Sequence, residues 1–224
     1  LVEQQLKKKA DPHLTRRLYI AISRQVTQIA TRPEIFHDLV DAIFSFDWLK
    51  DVRVESTGTM DPTSAALVDA FQLCVKSLVS ANATFLVPSL SMAVNGLRGV
   101  CYATPDTPPS YLEALTTRLL DVIHTIFDIV PIGTSELLPL LSSNFPHRFH
   151  EGTSIVAYTK ILLRLTGVLP RLATDILSLI VDRCLEIDVE IKLEDGGGAK
   201  LAASDEEDEF LGFGSGQQTG AMGV

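Results

Sequence analysis

Two histidines three residues apart, His147 and His150, have the spacing that lets a pair share a metal ion. They lie in a loop beside Pro146, and no nearby cysteine completes a ligand set, so solvated loop histidines are the expectation. Gly196-Gly197-Gly198-Ala199-Lys200 has the outline of a phosphate-cradling loop. Leu201 follows, however, where a Ser or Thr would reach a magnesium ion, and no strand precedes it. Cys74, Cys101 and Cys184 are isolated, odd in number and set among apolar residues, which predicts buried reduced thiols rather than a disulfide or metal site. Asn82-Ala83-Thr84 matches a glycosylation sequon, but nothing else in the chain points to secretion. Asp121, Asp128 and Asp182 fall at helix positions expected to face water, and no Gly-x-Ser-x-Gly turn supports a nucleophile. The expectation is a protein with no catalytic residues, no cofactor and no metal.

Function then has to come from a surface. Residues 142–150 read Ser-Ser-Asn-Phe-Pro-His-Arg-Phe-His, and they exceed what core packing alone would require. The stretch joins two predicted helices, holds two aromatics and carries three cationic or potentially cationic groups in an acidic protein. Phe145, His147, Arg148 and Phe149 are therefore the candidate partner-binding residues. The plainer reading makes Phe145 and Phe149 plugs in an interhelix groove, and both readings can hold.

The elements that would position this surface are helical. Leu112, Leu115, Leu119, Val122, Ile126 and Ile129 recur every three or four residues. Ser110 and Glu113 form a capping box before them, and Pro131 and Gly133 stop the run. Asp61-Pro62 reads as an N-cap followed by proline at the first helical position. Pro33 after Thr31 opens another helix, with Ile35, Leu39, Val40, Ile43 and Phe44 inward. Pro170 opens the last, whose stripe is Leu172, Ile176, Leu179, Ile180, Cys184, Ile187 and Ile191. Eight helices are predicted, at about 11–30, 33–50, 62–80, 84–98, 110–130, 135–143, 154–168 and 171–192. Taken in pairs they recur at roughly 40–50 residues, the period of HEAT or armadillo units. Leu120, Ile123 and Phe127 add a second apolar face to the 110–130 helix, as an element sandwiched between neighbours requires. The predicted fold class is all-α: a HEAT-like helical-repeat solenoid over 1–192, then a disordered acidic, Gly-rich linker or tail over 193–224.

Composition agrees. Of 224 residues, 46% are hydrophobic and only 7% aromatic, so the core should rest on Leu, Ile, Val and Ala. Net charge is −9, and the first 192 residues carry 18 of the 19 Lys and Arg against 21 of the 28 Asp and Glu. A large basic footprint is missing, and direct DNA binding is not expected. No stretch reaches the ~18 uncharged apolar residues of a membrane span. Leu1 begins no signal-peptide layout, and a start without Met suggests a fragment or processed product. The expected compartment is cytosol or nucleus. In the tail, Ser204 precedes Asp205-Glu206-Glu207-Asp208-Glu209, which makes Ser204 a candidate phosphorylation site for an acidophilic kinase. Phe210, Leu211 and Phe213 follow, a cluster whose plainer reading is linker and whose other reading is a docking element for a partner.

Several segments, taken in order, carry a likeness. Leu-Leu-Ser-Ser-Asn-Phe-Pro-His-Arg at 140–148 is followed by Tyr-Thr-Lys-Ile-Leu-Leu-Arg-Leu at 158–165. Leu-Ser-Leu-Ile-Val-Asp-Arg-Cys-Leu-Glu-Ile-Asp-Val-Glu-Ile at 177–191 precedes the acidic run at 205–209. Upstream stand Leu-Val-Ser-Ala at 78–81 and Phe-Leu-Val-Pro at 85–88. Together, over about 60–209, the chain resembles the N-terminal part of the TIF-IA family of RNA polymerase I-specific initiation factors. The resemblance implies a HEAT-repeat protein that binds RNA polymerase I and links it to promoter-bound core factors at ribosomal DNA. It also implies nucleolar localisation and regulation by phosphorylation. Family members are longer, with further repeats beyond the region represented here. No contact residue carries over from the family; Ser77, Ser80, Ser89 and Ser91 are candidates by proximity only. An uncapped terminal repeat would also admit self-association. The competing readings are another HEAT-type scaffold, of transport or phosphatase-regulatory kind, and a helical-bundle enzyme or ligand carrier, which would need a deep polar-lined pocket.

Overall fold

The structure, a computed structural model, describes residues 2–8, 11–53, 55, 59–104, 106–147 and 152–202, with side chains to 189. Among the described residues the chain is all-α, with eleven α-helices, two short 3-10 turns and no β-strand.

α1 (Val2–Lys8) precedes the first predicted helix and was not foreseen from the sequence. The 11–30 segment divides at Gln25 into α2 (Pro12–Arg24) and α3 (Val26–Thr31). Asp11 caps α2, its carboxylate accepting from the His13 amide at 2.9 Å, with Pro12 in the first turn. The helix predicted from Pro33 is also split. Residues 33–36 form turns, α4 (His37–Phe44) follows, and α5 (Trp48–Asp51) is a single turn capped by Asp47. Ile35 therefore points out, 64% exposed, instead of facing the core.

α6 (Pro62–Ala81) starts as its sequence requires, with Asp61 accepting from the Ser64 amide at 3.0 Å and Pro62 in the first turn. α6 is long and apolar enough to cross a membrane, but half of that window is buried in the protein, as suits a core helix. α7 (Leu86–Cys101) follows a 3-10 turn. α8 (Pro109–Ile129) begins one residue earlier than the expected capping box. Pro109 presets the first-turn φ and has no amide to satisfy, so Ser110 lies inside the helix and gives no side-chain cap. Glu113 instead accepts from Arg164 Nη1 at 2.9 Å. α9 (Thr134–Ser143), α10 (Gly152–Val168) and α11 (Ala173–Ala202) complete the order. α11 runs ten residues past the expected end at 192 and through Gly196, Gly197 and Gly198. The rest of the expected tail, 203–224, lies outside the described residues, as does Ser204.

Two compact units are present, Leu1–Ile180 and Val181–Val224. Within the first, packing joins both adjacent helices and helices several elements apart. α2 lies along α6, α6 meets α8, α7 meets α8, α9 and α10, and α10 meets α8. This packing is consistent with a helical-repeat stack. Its core joins Leu, Ile and Val side chains with a cluster that sparse aromatics did not suggest: Tyr19, Phe46, Trp48 and Phe71. Phe46 stacks on Phe71 at 4.4 Å between ring centroids, and Tyr19 and Trp48 meet Phe71 edge-on at 5.2 and 5.8 Å.

Of the predicted α11 stripe, Leu172, which the preceding 3-10 turn contributes, Ile176 and Ile180 are buried, and Leu179 is half-buried. In the second unit Ile187 is half-buried and Cys184 is exposed, correcting its expected burial. A separate row, Val181, Leu185 and Val189, is more than half exposed at four-residue spacing.

Candidate partner-binding surface

The connector after α9 is built from backbone carbonyls outward. The last turn of a helix leaves carbonyls without amide partners. Here Leu140 O accepts from the Asn144 amide at 3.1 Å, from Asn144 Nδ2 at 3.0 Å and from Ser143 Oγ at 3.1 Å. The Phe145 amide donates to Ser142 O at 3.2 Å. Asn144 and Pro146 are buried, so the chain leaves α9 in a fixed direction.

Phe145 is half-buried and meets the Tyr158 ring edge-on, at 5.4 Å and 81°. Tyr158, wholly buried on α10, donates its hydroxyl to Leu141 O at 3.1 Å. Burial pushes that phenol well above its ordinary range; the Cys101 thiol adds to the shift, and Arg98 opposes it. Phe145 therefore locks the end of α9 to α10, as its plainer sequence reading anticipated. His147, two residues on, is exposed. Arg148, Phe149 and His150 lie outside the described residues.

The same electrostatic neighbourhood brings in the end of α7, which sequence reasoning did not select. Arg98 sets its guanidinium over the Tyr102 ring at 5.6 Å, and both side chains are exposed. The signal that could have found this pair is its four-residue spacing, which puts a cation and an aromatic on one helix face. Burial pushes the Cys101 thiol up to about 12, which removes it as a nucleophile. The serines named by proximity do not share one surface role. Ser89 is buried and donates to Phe85 O at 2.6 Å, while Ser77 donates back to Leu73 O at 2.8 Å.

No group of three or more His, Cys, Asp or Glu converges among the described residues. A concavity of about 370 Å³ lies elsewhere, between the end of α8 and the 3-10 turn at Pro170–Leu172, lined by Phe127, Pro131, Leu169 and Leu172 together with His124 and Arg171. His124 Nδ1 lies 3.7 Å from Asp128 Oδ1. Such a site can hold a side chain of a partner but supplies no nucleophile, base and oxyanion donors in mutual reach.

The fold defines an all-α protein whose helix packing is consistent with a helical-repeat stack. Comparison with known proteins makes this specific: residues 2–216 match the RRN3 family, RNA polymerase I specific transcription initiation factors, and the chain belongs to that family. It is similar to the mouse (Mus musculus) RNA polymerase I-specific transcription initiation factor RRN3, at 25% identity over 169 residues. That match covers 71% of this chain and 24% of the mouse protein, so the chain spans about a quarter of its relative's length. No solved structure matches. The family is one of transcription initiation factors rather than enzymes, and its work lies in the nucleus.

Proposed function

We propose that this chain is the polymerase-docking part of an initiation factor that binds RNA polymerase I and links it to promoter-bound core factors at ribosomal RNA genes. Family membership over nearly the whole chain carries the reading. A stack of helices offers a long surface suited to a large partner rather than a small substrate, which supports it. Bridging two partners belongs to the longer protein, because a quarter of the relative's length is represented here. The corresponding place of work is the nucleolus.

Within the chain we assign polymerase contact to the connector, through Phe145, His147, Arg148 and Phe149. Arg98 on α7 and Tyr102 just after its end extend that surface, with Arg98 close to the Tyr158 side of the connector. Residues 1–192 act as the docking domain and 193–224 as an acidic linker. Phosphorylation of Ser204 would add roughly −1.5 to −2 charges to that linker and tune its attraction to basic partner segments. Self-association through the apolar row on α11 belongs to the same reading.

A pull-down of purified RNA polymerases I, II and III by the chain tests it. The proposal expects selective retention of polymerase I. Arg148→Ala/His147→Ala should lower it while leaving circular dichroism unchanged, and Phe145→Ala/Arg148→Ala should lower it further. Equal retention of all three enzymes, or of none by a folded chain, would count against the polymerase reading. Selective retention unaffected by either double variant would move the site away from the connector.

A further inference from the structure

The chain is acidic overall, yet its first 32 residues hold seven Lys and Arg against two Asp and Glu. The structure gathers these cations on the first helices. Lys7 and Lys8 end α1, Arg16, Arg17 and Arg24 lie on α2, and Arg32 follows α3; all six are exposed. None of the six lies within ion-pair distance of a carboxylate among the described residues. One of the two acids, Asp11, is already engaged in capping α2.

Of the six arginines described elsewhere, three form ion pairs. Arg118 pairs with Asp69 at 3.1 Å, Arg164 with Glu113 at 2.9 Å, and Arg183 with Glu186 at 2.6 Å. Arg53, Arg98 and Arg171 share the lack of an ion pair, and exposed Glu34 lies two residues from Arg32, so what sets the first helices apart is the local excess of cations over residues 1–32 rather than the lack of pairing alone. Beside the last of the unpaired cations is an apolar notch of about 370 Å³, lined by Gln28, Thr31, Arg32, Ile35 and Phe36. Ile35 stands at its rim 64% exposed, in the segment where the predicted helix gives way to turns.

We infer that α1–α3 and this notch form a docking surface for an acidic polypeptide segment carrying a large apolar side chain. The cations attract the carboxylates, and Ile35 and Phe36 receive the apolar residue. A nucleic acid fits less well. It would use the charges and leave the notch empty, and the net charge of −9 on the whole chain opposes a long polyanion. A short acidic segment meets only the local positive potential, which falls off within a Debye length of about 10 Å at ~0.1 M salt. The inference stands independently of which polymerase the chain binds, because it uses neither the connector nor α7.

The test is fluorescence anisotropy of a labelled peptide, Glu-Glu-Asp-Glu-Trp-Leu, against the full chain at low salt. The parallel probes are the same peptide with Trp and Leu replaced by Ser, and a short DNA duplex. We expect the first peptide to bind about ten-fold more tightly than the Ser version, the order of one buried aromatic contact. Arg17→Glu/Arg24→Glu/Arg32→Glu should weaken it by at least about ten-fold, as charge reversal at a complementary surface does. Ile35→Ser should weaken it several-fold by removing the apolar rim. All four positions are exposed, so circular dichroism should stay unchanged and the variants remain interpretable. The inference is overturned by no peptide binding at low salt, by equal binding of the two peptides, by affinity untouched in the charge-reversed variant, or by tighter binding of the duplex.

Discussion

Tyr19 is a side chain whose environment predicts an improvement. Its ring is wholly buried against Phe46 and Phe71, and its hydroxyl finds no hydrogen-bond partner among the described residues. A buried, unsatisfied polar group costs about 1–3 kcal/mol, so Tyr19→Phe should raise stability by about 1 kcal/mol. A denaturant midpoint that falls on substitution would show that the hydroxyl has a partner. Cys74, also fully buried, gives a pH prediction. Burial pushes its thiol up to about 12, whereas in the unfolded chain it titrates near the usual 8.5. The folded state keeps a proton that the unfolded state loses. Its contribution to stability is thus complete below pH ~8.5 and is lost as pH rises toward 12. Thermal melts at neutral pH and at pH ~10.5 should differ, and by less in Cys74→Ala. Cys184 sits at the opposite extreme: it is exposed, and it shows how a lone cysteine in an apolar stripe misleads when the stripe continues beyond the packed unit.

At the level of the element, Gly96 sets how closely α7 approaches its neighbours. A Cβ there would lie 2.7 Å from Leu119 Cδ2 and 2.9 Å from Trp48 Cδ1. Leu119 is fully buried and Trp48 is rigid, so neither can give way freely. Gly96→Val should destabilise by about 1–3 kcal/mol, the range of overpacked cores. Gly167→Ala, with nothing within 4 Å of its added carbon, is the matched control, and equal melting of the two variants would refute the argument. Ile180 marks the last inward position of the first unit, at 8% exposure. An unpaired carboxylate there, as in Ile180→Asp, should cost several kcal/mol, about 3–5, and lower the melting temperature sharply. Long helices were readable from periodicity because α6 and α8 each bury a stripe that repeats over about four turns, and α10 one that repeats over about three. The short ones were not. α4 and α5 have eight and four residues, too few turns to show a period, and Ile35 beside them broke the inward rule by lying in a turn. The connector was legible as a surface candidate through its residue types, but the Arg98–Tyr102 pair needed coordinates to connect it to that place.

For the whole molecule, the first unit is held along its length by packing between helices both adjacent and several elements apart, with polar ties reinforcing it. Gln72 Nε2 donates to Arg118 O at 3.3 Å, and Arg118 pairs with Asp69, tying α6 to α8. Arg164 reaches Glu113 and Thr117, tying α10 to α8. These ion pairs are largely exposed and each contributes about 0–1 kcal/mol, so the apolar core remains the main source of cohesion. A stack organised this way has no requirement to open all at once, because its two ends, α1–α3 and α10, pack on the helices between them and not substantially on each other. The protein contains one tryptophan, Trp48, only 2% exposed, with its indole N–H directed at Met92 Sδ at 3.1 Å. That makes Trp48 a fluorescent reporter confined to the first third of the chain. Its emission should shift red when the α2–α6–α7 region opens, while far-ultraviolet ellipticity follows all the helices together. Unfolding followed by the two signals should give midpoints that separate if the stack frays from one end, and a single shared midpoint would mean that the first unit melts as one cooperative body.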